Sequence, residues 1–166
     1  MKISEYIWGY DEDQIEDAVV NGLLKKGKKL AVIELFTGGL IADKLSNNSK
    51  FSQILTEVIV AGNSDLLNRR FGISKNISEV MGQFTSEWIM EVANKARKAF
   101  NADYVLATSK FKVITGEENR EQNGYLNAGC ASETSINYRE IRLSKDYIFN
   151  KNRAAHLTLD FLRQQL

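Results

Sequence analysis

The stretch with the most chemical content is Glu34-Leu35-Phe36-Thr37-Gly38-Gly39. A threonine and two glycines after a short apolar run place backbone N–H groups and a hydroxyl at the start of a helix. That arrangement receives an anion, and glycine lets a phosphate approach the backbone closely. The same residues also make a Thr N-cap with a glycine turn, and spacing alone leaves both readings open. No Walker-type or dinucleotide-fold spacing is present, because a third glycine and a following Lys-Ser/Thr are missing. Thr37 is the candidate nucleophile of the stretch, with Glu34 or Lys110 as the bases to consider. Elsewhere the chemistry is sparse. Cys130, the single cysteine, reads as a small buried apolar residue, and His156, the single histidine, as a packed or boundary side chain. Together they supply no ligand set for a metal, and no cofactor is implied. Tyr138, Arg139, Arg142, Tyr147, Lys151 and Arg153 mix cations and aromatics in the C-terminal quarter, as either a nucleotide site or a solvated strand and helix surface does.

The apolar pattern locates the elements that must hold these residues. From Asp11 to Gly27, Ile15, Val19 and Leu23, with Ala18 and Leu24, recur at helical spacing. Acidic residues crowd the start of this helix and lysines its end, the order that complements the helix dipole. Leu30 to Ile33 is a continuous apolar run, the mark of a strand buried on both faces, and it delivers Glu34–Gly39 into a turn and a helix. Ile54–Ala61 reads as a second strand and Asn63–Arg70 as a short helix stopped by Gly72. Phe84 and Ile89 staple an N-cap at Thr85, opening a helix whose inner face is Ile89, Val92, Ala93, Ala96 and Phe100. Asp103–Thr108 is a third strand, and Ser109–Asn123 is polar enough to read mostly as loop. Leu126, Ala128 and Cys130 alternate as in a strand, and Ser132–Ser135 forms a turn. Ile136 and Tyr138 are then out of phase with Ile141 and Leu143, which predicts a bulge near Arg139-Glu140. A last helix from about Asp146 directs Ile148, Ala155, Leu159 and Leu162 to the core. The sum is an α/β fold, a three-layer α/β/α sandwich around a mixed central sheet.

Composition bounds the function. The chain of 166 residues, with 43% hydrophobic and 26% charged residues, fits one globular domain over residues 1–166 and excludes disorder. A net charge of +1 argues against a nucleic-acid partner, which needs clustered excess cations. No apolar run approaches a membrane span and no export signal opens the chain, so a cytoplasmic setting without a membrane partner is expected. Trp8 and Tyr10 cover either the domain's own core or a neighbouring subunit. Proline is absent altogether.

That absence bears on a resemblance. Gly22-Leu23-Leu24 through Gly39-Leu40-Ile41-Ala42 resembles the start of the CinA C-terminal domain, of the competence/damage-inducible protein family whose active members deamidate nicotinamide mononucleotide. In that family the first strand ends in Glu-Ser-Cys-Thr-Gly-Gly; here it ends in Glu34-Leu35-Phe36-Thr37-Gly38-Gly39. Further matches follow in order: Val60-Ala61 before Asn63, Gly72-Ile73, Phe84-Thr85-Ser86-Glu87, Ala96 to Asp103, Gly124, and Leu159 with Leu162. The likeness covers about residues 15–166.

The departures fall where the family does its chemistry. Its nucleophilic serine aligns with Leu35, and the lysine of a Tyr-Ser-Asn-x-x-Lys segment aligns with Leu67, with Gly62 at the tyrosine. A serine and lysine work together because the amine takes the hydroxyl proton, and leucine does neither job. The family's Thr-Gly-Ile-Ala-Gly-Pro loop is replaced by Ser109-Lys110-Phe111-Lys112-Val113-Ile114, which leaves the hydroxyls of Thr108 and Ser109. A phosphate-suited arginine of the last helix falls near Lys151 or Arg153. The resemblance therefore implies a domain without the deamidase reaction, a nucleotide-binding, anion-binding or structural module. Its ligand site would draw on Glu34, Thr37, Gly38, Gly39, Thr108, Ser109, Lys151 and Arg153. The alternative is an amidohydrolase acting on a pyridine nucleotide or related amide with relocated catalytic residues. Homo-oligomer assembly is a further expectation from the resemblance.

Overall fold

Leu30–Glu34 forms strand β1, buried at every position, as a run of apolar residues must be when both faces of its sheet are covered. The structure is a computed structural model that describes residues 14–117 and 120–166, so Asp11–Asp13 of the expected first helix, with Trp8 and Tyr10, lie outside it. β1 is flanked by two parallel strands, β2 (Leu55–Val60) and β3 (Tyr104–Thr108). The long strand β5 (Gln122–Ala131) runs antiparallel to β3 through its C-terminal half. β4 (Lys112–Gly116) pairs with the N-terminal half of β5, and β6 (Ile136–Lys145) pairs along its whole length. Because β6 takes one entire edge of β5, β3 and β4 share the other edge end to end. The sheet is mixed.

Alternation along β1 and β3 sends side chains to two cores. Val32 and Leu106 face one cluster, closed by α1 (Ile15–Lys26), α2 (Leu40–Ser46) and α5 (Tyr147–Gln165) through residues such as Val19, Leu23, Leu45 and Leu159. Ile33 and Val105 face the other, closed by α3 (Ser64–Phe71) and α4 (Ser86–Phe100) through Leu67, Trp88, Ile89 and Val92. This is the expected three-layer α/β/α sandwich. Thr85 caps α4 by accepting the Trp88 N–H at 3.3 Å, and Gly27 closes α1 in the left-handed conformation at φ 63°.

Three expectations are corrected. Within the segment read as loop, Lys112–Gly116 is a strand, exposed at every position. Backbone pairing to β5 holds it rather than burial, so it carries no apolar alternation. No bulge occurs near Arg139-Glu140: the β5–β6 register is continuous from Gln122↔Lys145 to Ala131↔Ile136. The phase change arises because Ile136 and Tyr138 are exposed, at 41% and 49%, while Ile141 and Leu143 are buried on the other face. Ile148 is exposed rather than turned to the core. The inward place in the first turn of α5 belongs to Asn150, which accepts the Lys145 N–H at 2.9 Å and donates to the Gln122 and Lys145 carbonyls.

Candidate functional site

In open α/β sheets ligands gather at the carboxyl ends of the parallel strands, and β1 and β3 are parallel neighbours. Their ends bring Glu34–Gly39 beside Thr108–Lys110. Glu34 is fully buried. Its carboxylate accepts the Thr37 hydroxyl at 2.6 Å and the N–H groups of Gly39, Ile41 and Ala42 at 3.0, 3.1 and 2.9 Å. The chain's own carboxylate thus fills the place that an external anion would take at the start of α2. Gly38 and Gly39 make the loop at φ 58° and 101°, values a side chain would strain.

The threonines complete a closed polar knot. Thr108 Oγ1 accepts the Leu35 N–H at 3.4 Å and lies 3.3 Å from Thr37 Oγ1, and both threonines are fully buried. Ser109 is buried as well: its hydroxyl accepts the Asn127 N–H and donates to the Lys110 carbonyl, each at 2.9 Å. Of the residues singled out from sequence, Glu34, Thr37, Gly39 and Thr108 come together, and Ser109 ties β3 to β5.

Above this knot lies an open cleft of about 540 Å³, lined among others by Leu35, Phe36, Gly62, Lys110, Phe111 and Tyr147. The volume suits a small organic ligand. Phe36 and Phe111 stack at 5.0 Å and 25°, and Tyr147 meets Phe36 edge-on at 5.6 Å. Two half-buried cations belong to this end of the sheet. Lys110 lines the cleft, and Lys151 reaches Gly38, where an added Cβ would lie 3.4 Å from its Cε and Nζ. Neither ammonium group has a hydrogen bond or ion pair with a described residue. Arg153 is exposed and acts on His156, whose pKa is lowered first by burial and then by the charges of Arg153 and Lys44. Between Lys151 and Arg153, Lys151 is the one beside the glycine loop.

Rings of this kind stack on a planar group, and unpaired ammonium groups draw an anion. Nucleophilic chemistry has less support. Leu35 lines the cleft, Leu67 is fully buried, and both belong to one apolar cluster. The Thr37 hydroxyl is out of contact with solvent and given to Glu34. Burial pushes the Cys130 thiol up to about 12, which leaves it protonated and inert. Among the described residues no group of three or more His, Cys, Asp or Glu side chains is placed to hold a metal ion.

Phe36, Phe111 and Tyr147 were not legible as a set. Phe36 and Phe111 lie 75 residues apart, and their common feature is position, each two or three residues past the end of a parallel strand. Only the pairing of β1 with β3 turns that into a stack.

The family model described as the CinA C-terminal domain matches residues 12–166. A CinA-like protein of Kosmotoga olearia is 30% identical over 165 residues, covering 99% of this chain and 40% of that protein. A putative competence-damage inducible protein of Caldicellulosiruptor saccharolyticus is 29% identical over 164 residues with the same coverage. The chain thus spans about 40% of the length of these relatives. Among solved structures, the competence or damage-inducible protein from Enterobacter asburiae superposes with a TM-score of 0.81 at 18% identity, covering 93% of this chain and 99% of that one. A CinA-superfamily protein from Klebsiella pneumoniae gives 0.80 at 16%, covering 91% and 94%. At those identities the likeness speaks for the fold.

Proposed function

The chain belongs to the CinA C-terminal domain family, and from that premise we propose that it is a binding module for a small anionic, nucleotide-like ligand rather than a deamidase. The observation that carries this reading is the cleft itself: a stacked aromatic pair and the Lys110 ammonium group line a space in which leucine stands at the serine position, and Lys151 lies against the neighbouring Gly38. A planar ring would lie against Phe36 and Phe111, and its phosphate would reach Lys110 or Lys151. Glu34, Thr37 and Thr108 would shape the floor instead of contacting the ligand. An amidohydrolase with relocated residues would have to use Thr37, whose hydroxyl is buried and bonded to Glu34 at 2.6 Å.

A thermal-shift series with mononucleotides, dinucleotides, sugar phosphates and inorganic phosphate tests the binding half. A ligand at 100 times its Kd stabilises by about 2.7 kcal/mol, several degrees for a domain of this size. The shift is expected to fall in a Lys110→Gln, Lys151→Gln double variant. It should disappear in Gly62→Trp, which fills the cleft from a position where an added Cβ meets nothing within 4 Å. No shift with any of these anions sinks the ligand site. The chemical half is tested by ammonia release from nicotinamide mononucleotide, expected at the buffer rate. Turnover above buffer that is lost in Thr37→Ala would favour the amidohydrolase.

A further inference from the structure

Building on the reading of the cleft as a nucleotide-like site, we propose that Gln122 selects the ring of its ligand by pairing with a base edge that sets an N–H donor beside an acceptor, as adenine, guanine and uracil do. Gln122 lines the cleft with Phe36, Lys110 and Phe111. It opens β5, whose pairing with β6 runs without a shift from Gln122 to Ala131, so side chains two residues apart share a face. Leu126, Ala128 and Cys130 lie on the same face as Gln122, in the apolar cluster that holds Phe36 and packs against Phe111. The Gln122 side chain therefore stands on the side of the sheet that carries the aromatic stack.

A glutamine at the start of a strand is ordinarily a solvated side chain that needs no ligand. Here the backbone is clamped while the amide is left unused. The main chain is paired with Gly116 on β4 and with Lys145 on β6, and the Gln122 carbonyl accepts an N–H of the fully buried Asn150 at 3.1 Å. The side chain is half-buried and makes no hydrogen bond with a described residue. Of the β5 residues on this face Gln122 alone is polar, the others being Gly124, Leu126, Ala128 and Cys130.

Gly124 brings the amide and the rings into one site. An added Cβ there would lie 2.8 Å from Phe111 Cζ, so the ring rests on the strand where a side chain is missing. Gln122 is the next residue on that face, roughly 7 Å along the strand, a span that a glutamine side chain and a stacked base cover together. A carboxamide offers an N–H donor and a carbonyl acceptor side by side, and such a pair meets its complement on a base edge. Lys110 is the cation for the phosphate in the same cleft, so ring plane, ring edge and phosphate each have a separate contact.

The experiment is a calorimetric titration of the whole chain, at constant ionic strength, with adenosine 5′-monophosphate and with purine riboside 5′-monophosphate, which lacks only the amino group. Adenosine monophosphate is expected to bind about tenfold more tightly, the worth of one bidentate pair. In Gln122→Leu that ratio should fall to about one. Gln122→Glu turns the amide into a pair of acceptors, which suits the N1–H and amino group of guanine, so preference should move about tenfold from adenosine towards guanosine monophosphate. A merely structural glutamine moves neither ratio. Lys110→Gln should weaken adenosine and purine riboside monophosphates alike, since it acts on the phosphate; no loss for either would place the nucleotides outside the cleft and overturn the assignment. Binding of neither nucleotide by the parent chain overturns the cleft reading together with this one. Binding of both with equal affinity, or a ratio that survives Gln122→Leu, overturns the role of Gln122 alone.

Discussion

Glu34 is the residue on which the glycine loop depends. Four donors converge on its carboxylate, three of them backbone N–H groups that open α2. In Glu34→Gln one oxygen becomes an NH2 group that faces a donor, and leaving a buried donor unmet costs about 1–3 kcal/mol. Urea unfolding should therefore show a lower midpoint with an unchanged slope. Asp103 offers a prediction with a pH sign. The Lys29 N–H, then Lys28, then Arg97 hold its pKa below the usual carboxyl range against the opposing effect of burial. A carboxyl with a depressed folded pKa stabilises the fold above its unfolded value, about 3.9, and loses that contribution as pH falls through the lower folded value. Asp103→Asn should thus be less stable than the parent at neutral pH, with the gap closing below about pH 4 in melting curves. From residue types alone, Thr37-Gly38-Gly39 reads either as an anion-receiving helix start or as a threonine cap with a glycine turn. That Glu34 would itself receive these donors was not legible, because a carboxylate three residues upstream reaches the helix only through the turn geometry of the two left-handed glycines.

At the scale of elements, legibility followed burial. β1, β3 and α4 carry their cores on continuous or helical apolar patterns and stand where the pattern puts them. β4 is exposed along its length and is defined by what it pairs with, so its own residues could not announce it. Its pairing instead rests on Gly124 of β5, where an added Cβ would lie 2.1 Å from the Lys112 carbonyl oxygen and 2.8 Å from the Phe111 ring. Gly124→Ala must displace β4. The displacement should appear as faster amide exchange across Lys112–Gly116 while the β5–β6 amides stay protected, since that ladder lies on the other edge. Lys110 and Phe111 lead directly into β4, so the same variant is expected to weaken any ligand of the aromatic cleft. Unchanged exchange in β4 would mean that the strand tolerates the methyl group and that the glycine has another purpose.

The scale of the whole molecule bears on what a serine and a lysine would meet at the two leucine positions. Two apolar clusters sandwich the sheet, and the positions that resemble the nucleophile and its base, Leu35 and Leu67, belong to the same one, with Ile33, Trp88 and Val92. Leu35 is 8% exposed and Leu67 not at all. Leu35 still lines the cleft, but at Leu67, where an amine would need water and hydrogen-bond partners, this chain has packing. A lysine at 67 would bring an ammonium group into that cluster with only a serine hydroxyl for company, and an uncompensated buried charge costs about 3–5 kcal/mol. Domains hold only about 5–15 kcal/mol in total, so the change threatens the fold before it can test the chemistry. The Leu35→Ser, Leu67→Lys double variant is expected to unfold at much lower urea concentration and to release no ammonia from nicotinamide mononucleotide. Leu35→Ser alone, at the cleft wall, should lose far less stability than Leu67→Lys alone. A double variant that is as stable as the parent and turns over substrate would show that the two leucines sit in an intact active site, and the binding-module reading would have to yield to a recently silenced enzyme.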